Sequence, residues 1–218
     1  MKLFRFRYSP YARKVQMLLD LVGARYDLVE VPYSDRTELA TLTSGYIYVP
    51  VLLDDDGTVI VESRDISERI VLRDRTGTLV PAGMDGPVWA YADFADGPLE
   101  DVLFRIASPA VRDAWPSAGD RALYVLVKER KFGAGCVDAW HRDREALMAR
   151  ARRLLAPTLR TLGARPFLFG ERPSLADAAL YGNAIMLEEA DRSLLGALAP
   201  ELVDYVRRVE ECARSPKR

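Results

Sequence analysis

Histidine and cysteine are scarce in this chain, which carries only His141, Cys136 and Cys212. The two cysteines are far apart and neither sits in a C-x-x-C or other metal-like spacing. With one histidine to help them, no zinc or other metal site is expected, and both read as structural or surface thiols. An excess of either charge is missing as well. Lys plus Arg number 31 and Asp plus Glu 32, a net charge of −1 that gives no reason to expect nucleic acid or an anionic membrane as partner. No apolar run approaches the roughly 18–20 residues of a membrane helix, and Arg5 and Arg7 interrupt the N-terminus where a signal peptide has its apolar core. Internal repeats and low-complexity segments are absent too. What remains is a soluble, cytoplasmic protein whose partner is a small molecule. Its 218 residues suffice for one large or two modest domains, each with its own core.

Residues 49–63 organise the rest. Residues 51–53 and 58–61 are short apolar, β-branched runs separated by Asp54-Asp55-Asp56-Gly57, where Gly57 supplies the positive φ of a tight hairpin turn. They read as two buried antiparallel strands. Pro50 begins the first strand without an N–H, which leaves the Val49 backbone open to an extended peptide ligand. Glu62-Ser63 then opens an amphipathic helix with Ser63 as N-cap and Ile66 and Ile70 on its inner face. A carboxylate and a hydroxyl thereby flank the free edge.

Taken in order, residues 2–8 alternate as a strand, and Ser9-Pro10 gives a helix start with Ser at the N-cap and Pro at the first helical position. Tyr11, Val15, Leu18, Leu19 and Val22 follow at helical spacing, with Gly23 as the C-terminal residue. Residues 26–31 form a second strand, parallel to the first through a right-handed crossover. Residues 37–41 form a short helix. The breakers Gly77, Pro81, Gly83, Gly86 and Pro87 end a first domain at residues 1–76, with a linker over 77–87. Residues 88–218 carry only helices: 88–106, kinked or divided at Gly97-Pro98; 120–132; 137–162; 175–189, capped by Ser174 and Asp177; and 199–213. The basic end from Arg214 reads as a solvated tail.

Ser9-Pro10-Tyr11-Ala12-Arg13-Lys14-Val15 resembles the active-site turn of thioredoxin-fold proteins, in which glutaredoxins carry Cys-Pro-Tyr-Cys. With Val49-Pro50-Val51-Leu52, Glu62-Ser63 and Ser174-Leu175-Ala176-Asp177, it is similar to the cytosolic glutathione transferase superfamily, in the order of that family's motifs and over nearly the whole chain. The match is to a serine-type, bacterial-like member. The resemblance implies a thioredoxin-like α/β domain (βαβ-α-ββα) followed by an all-α domain, a homodimer, glutathione as co-substrate and a small-molecule electrophile as partner. It implies that Pro50 is cis, that the Val49 backbone pairs with the cysteinyl part of glutathione, and that Glu62 and Ser63 hold its γ-glutamyl end. It also implies that the helix after Ser174 organises the second domain.

Two features depart from the family pattern. Ser44-Gly45-Tyr46-Ile47-Tyr48 lacks the local Lys or Gln that holds the glycyl carboxylate in many members, leaving Tyr46 or Tyr48 to offer a hydrogen bond. Ser9 stands where cysteine-type members have their reactive thiol. The chemistry implied is stabilisation of the glutathione thiolate by the Ser9 hydroxyl and the N-terminus of the helix that follows. Tyr8 and Tyr11 are competing donors, and Arg13 is a source of positive potential beside the thiol. Arg13 and Lys14 also read as solvated first-turn residues. The absent cation motivates an alternative, a non-catalytic binding or carrier protein on the same fold, and a glutathione-dependent disulfide reductase or isomerase is a third reading.

Overall fold

The computed structural model describes residues 1–214; the basic tail expected beyond Arg214 lies outside the described residues. In the first strand, β1 (Lys2–Arg5), Leu3 and Phe4 are buried. It pairs in parallel with β2 (Asp27–Glu30) through the crossover helix α1 (Pro10–Leu21). Ser9 is the N-cap of α1, its Oγ accepting the Ala12 N–H at 3.3 Å, and Gly23 takes a φ of 65° just past the helix end. After α2 (Thr37–Leu42) come β3 (Val51–Leu53) and β4 (Val59–Val61), an antiparallel hairpin. Because β3 also pairs antiparallel with β1, the sheet order is β2-β1-β3-β4. With α3 (Ser63–Arg73) this completes the βαβ-α-ββα arrangement of a thioredoxin-like unit. The hairpin is less buried than its composition suggests. β4 is only half-buried along its length, because it forms one edge of the sheet.

The helical unit comprises α4 (Asp85–Phe94), a single π turn (Ala95–Leu99), α5 (Glu100–Ala114), α6 (Ala118–Phe132), α7 (Cys136–Arg142), α8 (Arg144–Ala164), α9 (Leu175–Ala190), α10 (Arg192–Leu198) and α11 (Pro200–Arg214). The helix expected over 137–162 is in fact two, since Asp143 leaves helical dihedrals at φ −88° and ψ 10°. The interruption expected at Gly97-Pro98 takes the form of the π turn. Pro98 has no N–H to give the preceding turn, and a wider turn admits it. Two carbonyls in the turn find outside donors: Asn183 Nδ2 donates to Ala95 O at 3.0 Å, and Tyr11 O–H to Asp96 O at 3.0 Å.

Helix α9 is the centre of this unit, buried continuously through Leu187. Its start is fixed by Asp177, whose Oδ2 accepts from Ser174 N at 2.8 Å and Ser174 Oγ at 2.7 Å. Its Oδ1 accepts from Leu168 N at 2.9 Å and Tyr205 O–H at 2.8 Å. The shorter Asp thus serves the capping box where Glu is more usual, while also anchoring a loop and α11. The small residues of α9 let α1 come very close. A Cβ on Gly182 would lie 2.3 Å from Pro10 O and 3.0 Å from Lys14 N.

Gly182→Ala should therefore lower the urea unfolding midpoint, at a cost of ~1–3 kcal/mol from overpacking against backbone that cannot retreat. Gly196→Ala is the control, because its Cβ would meet only Val203 Cγ2 at 4.0 Å. That variant should leave the midpoint unchanged or raised.

Candidate active site

The start of α1, the segment before β3 and the start of α3 open onto one cleft of about 1490 Å³ between the sheet unit and the helical unit. Ser9, Val49, Pro50, Glu62 and Ser63 all line it, as do Tyr8, Tyr11, Tyr46 and Tyr48. The Val49–Pro50 peptide is cis. Of the predicted site residues only Arg13 is elsewhere. It turns away from the cleft toward Glu189, 3.9 Å away, which borders a separate hollow of about 400 Å³.

Ser9 is buried, and its Oγ uses a lone pair to accept the Ala12 N–H. The hydroxyl proton remains available to donate, so capping and donation coexist in one side chain. Tyr11, by contrast, has its proton committed to Asp96 O. The Tyr8 hydroxyl has no hydrogen-bond partner within the protein. Burial, reinforced by neighbouring phenols for Tyr8 and by Glu100 and Asp96 for Tyr11, pushes both pKa values well above that of free tyrosine. Both phenols therefore stay protonated near neutral pH.

The expected N-cap of α3 is displaced by one residue. Glu62 is the N-cap, at φ 66° and ψ 128°, and Ser63 is the first helical residue. Such a φ is costly for a non-glycine residue, and observed strain of this kind concentrates at functional sites. Its consequence is geometric, because the side chains of both residues face the cleft together with the unpaired N–H groups of the first helical turn. Tyr46 O–H donates to Glu62 Oε1 at 2.8 Å, and the Tyr46 ring meets Tyr48 edge-on at 5.5 Å.

Two residues that sequence reasoning did not place at the cleft lie at it or reach a residue that lines it. Arg36 lines the cleft, donating from Nη1 to Ile47 O at 2.9 Å, with its guanidinium 5.0 Å from the centroids of Phe6 and Tyr33. This brings a cation to the segment whose own sequence lacks one; nothing in local spacing signals it. Lys14, read as solvated, is only 2 % exposed and donates from Nζ to Ser63 Oγ at 3.2 Å while ion-pairing with Asp96 of the π turn. A signal was present in this case, since position 14 lies three after Tyr11 and four before Leu18 on the buried stripe. Burial pushes the Asp96 carboxyl up, and Lys14 pulls it back.

The opposite wall comes from α5 and α6. Phe104, Tyr124 and Lys128 line it, and Trp115 packs just behind, 5.3 Å from Tyr8 and 4.8 Å from Tyr33. Glu100 lies here too, its pKa pushed to about 7 by burial, against the pull of Lys131. Among the described residues no group of three or more His, Cys, Asp and Glu is placed to hold a metal ion, and no helix is long and apolar enough to cross a membrane.

A thioredoxin-like α/β unit joined to an all-helical one across a shared cleft defines the class of protein. Residues 3–75 match the family model for the glutathione S-transferase N-terminal domain, and residues 104–212 that for the C-terminal domain. The chain belongs to the glutathione S-transferase family. No curated protein matches the sequence. Among solved structures, glutathione transferase GSTFuA3 from Phanerochaete chrysosporium superposes with a TM-score of 0.80 at 16% identity, covering 97% of this chain and 96% of the other. Glutaredoxin 2 from Salmonella typhimurium, in complex with glutathione, gives 0.71 at 18% identity over 98% and 94%. A glutathione S-transferase from Xanthobacter autotrophicus Py2 gives 0.65 at 24% identity over 95% and 91%. At these identities the likeness is one of fold.

Two predictions test the site's electrostatics. Asp96→Leu strands the Lys14 ammonium and should cost ~3 kcal/mol or more in urea unfolding, whereas adding Lys14→Met should recover most of the loss. Glu100, whose pKa is raised on folding, contributes most stability below its unfolded value near 4.5 and loses it as pH rises toward about 7. Glu100→Gln should accordingly gain stability relative to the wild type between pH 5 and pH 8, read from unfolding midpoints at each pH.

Proposed function

We propose that the protein is a glutathione transferase that binds reduced glutathione along the sheet side of the cleft, stabilises its thiolate with Ser9, and adds it to an electrophile held against the helical wall. The observation that carries this reading is the convergence on one cleft of Ser9 at the start of α1, Val49 before the cis Pro50, and Glu62-Ser63 at the start of α3. In this reading the γ-glutamyl carboxylate meets the first N–H groups of α3 and the Ser63 hydroxyl, where the helix dipole favours an anion. The γ-glutamyl ammonium faces Glu62, which Tyr46 steadies. The Val49 backbone pairs with the cysteinyl residue in the manner of an added strand. Arg36 and Tyr48 receive the glycyl carboxylate. Arg36 offers the cation whose local absence motivates a non-catalytic binding protein and so weighs against that alternative, and Ser9 in place of a reactive cysteine counts against a disulfide reductase. A homodimer in the cytoplasm belongs to the same reading, and family membership supports it.

A free thiol with pKa near 8.5 is only a few per cent ionised at neutral pH. Lowering that value by ~2 units takes ~2.7 kcal/mol of preference for the thiolate. A charge-assisted hydrogen bond from Ser9 contributes ~1.5–3 kcal/mol, and the α1 N-terminus adds to it. The sulfur electron pair then forms the new S–C bond, and the leaving group departs with the pair of the bond that breaks.

The test is the ultraviolet difference band of glutathione thiolate on mixing with protein at neutral pH. The wild type should show it, and Ser9→Ala and Ser9→Gly should weaken it to a similar degree. Glycine keeps most of the capping stability that alanine loses, so equal losses trace the effect to the missing hydroxyl donor. No band in the wild type overturns the proposal. A band that survives both substitutions but not Tyr8→Phe moves the donor role to Tyr8.

A further inference from the structure

Where the sheet unit faces the α5–α6 wall, the cleft holds two tyrosine hydroxyls whose protons have no acceptor in the protein and a cation without an ion-pair partner. Tyr8 and Tyr33 line the cleft, and their hydroxyls are buried with no hydrogen-bond partner in contact geometry, the Arg36 guanidinium lying 5.0 Å from the Tyr33 ring centroid. Both rings pack on Trp115, and Tyr33 also packs on Tyr124 at 5.7 Å. Over Tyr124 lies the Lys128 ammonium, 4.7 Å from that ring centroid and 4.9 Å from Phe104. Among the described residues Lys128 has no carboxylate within ion-pair distance. Of the cleft's carboxylates Asp96 pairs with Lys14, Asp93 with Arg64 and Asp101 with Arg105, whereas Arg36, Arg130 and Lys131 line it beside Lys128 with no ion pair among the described residues.

Buried donors and cations are ordinarily satisfied, because leaving them unpaired forfeits solvation without return. From the position of these groups we infer that the electrophile carries a carboxylate, which Lys128 pairs and the Tyr8 and Tyr33 hydroxyls hydrogen-bond, with its apolar body against Phe104. The inference rests on the glutathione transferase reading for the word electrophile; the anion site itself does not depend on it. The two rings under Lys128 hold the ammonium in place before the ligand arrives, so little ordering remains to be done on binding. Burial, with Lys131 adding to it, lowers the Lys128 pKa to about 8, leaving it protonated at neutral pH. Glu100, Lys131, Arg36 and Cys136 are the other titratable or charged groups that act on it. As pH rises past about 8, Lys128 loses its proton and Glu100 is already ionised, so both changes weaken carboxylate binding.

A matched pair of unreactive ligands tests the site without glutathione: 4-nitrobenzoate and 4-nitrobenzamide, titrated against the intrinsic tryptophan fluorescence that their nitro group quenches. At neutral pH the benzoate should bind at least ~10-fold tighter than the amide, the scale of one charge-assisted hydrogen bond. Lys128→Met should bring the two to near parity, Lys128→Arg should retain the preference, and Tyr33→Phe should reduce it. Equal binding of the two ligands by the wild type overturns the inference, as does no binding of either, or a benzoate preference that Lys128→Met leaves intact. Turnover of 4-chloro-3-nitrobenzoate against its amide then separates this proposal from the one it builds on. In that reaction the thiolate sulfur bonds to the ring carbon and chloride leaves with the C–Cl pair. Loss of the glutathione thiolate band with the benzoate preference intact would refute the transferase reading alone. A normal band with no preference would refute the carboxylate alone.

Discussion

The close approach of α1 to α9 at Gly182 is the constraint on which the site depends. With a Cβ there only 2.3 Å from Pro10 O, no other residue lets the first turn of α1 seat where it does. That turn has Ser9 at its N-cap, and Lys14 begins the next one on the buried face, so the same contact places the hydroxyl at the cleft and an ammonium beneath it. The α9 backbone is in turn held by Asp177, whose two oxygens gather Ser174, Leu168 and Tyr205. One helix, buried through Leu187, thus indexes the sheet unit against the helical one. The tolerance for error in that indexing is small, because packed interiors deform little.

Around this contact the two units exchange polar groups rather than merely apolar surface. The π turn at Ala95–Leu99 presents backbone carbonyls that an ordinary α-helical turn would keep to itself, and Asn183 and Tyr11 occupy them. Its Asp96 carboxylate meets Lys14, which also reaches Ser63. The irregular turn in the helical unit is therefore linked through one lysine to the first residue of α3. A buried ion pair gains little over apolar packing in stability, and its value here is positional: it sets where the Ser63 hydroxyl sits. The strained φ of Glu62 acts in the same sense, holding its carboxylate at the cleft with Tyr46 as its partner.

Much of this was legible in the chain because the features concerned are local. Ser9-Pro10 is a helix start wherever it occurs before an apolar stripe, and Asp-Gly between two β-branched runs is a hairpin. Ser174 and Asp177 form a cap because three residues of helix bring them together. Errors arose where locality fails. Ser63 reads as an N-cap by residue type, yet Glu62 takes that place at a positive φ that no propensity favours. Residues 137–162 read as one helix by periodicity, yet Asp143 divides it. Arg13 and Lys14 are adjacent and similar, but a step of about 100° around α1 sends one to Glu189 and the other into the interior.

The sequence by itself determined the order of strands and helices, the turn chemistry, and the family motifs that bring Ser9, Val49, Pro50, Glu62 and Ser63 into consideration. Those depend on backbone sterics and on hydrogen bonds that span a few residues. Only the tertiary structure decided which charges the cleft keeps. Arg36 comes to the segment before β3 from another part of the chain, Lys14 is consumed by Asp96 eighty-two residues away, and Lys128 is left over two aromatic rings without a carboxylate. The physical reason is that pairing and desolvation depend on distances between segments that share no local register, and those distances exist only once α1 has closed on α9.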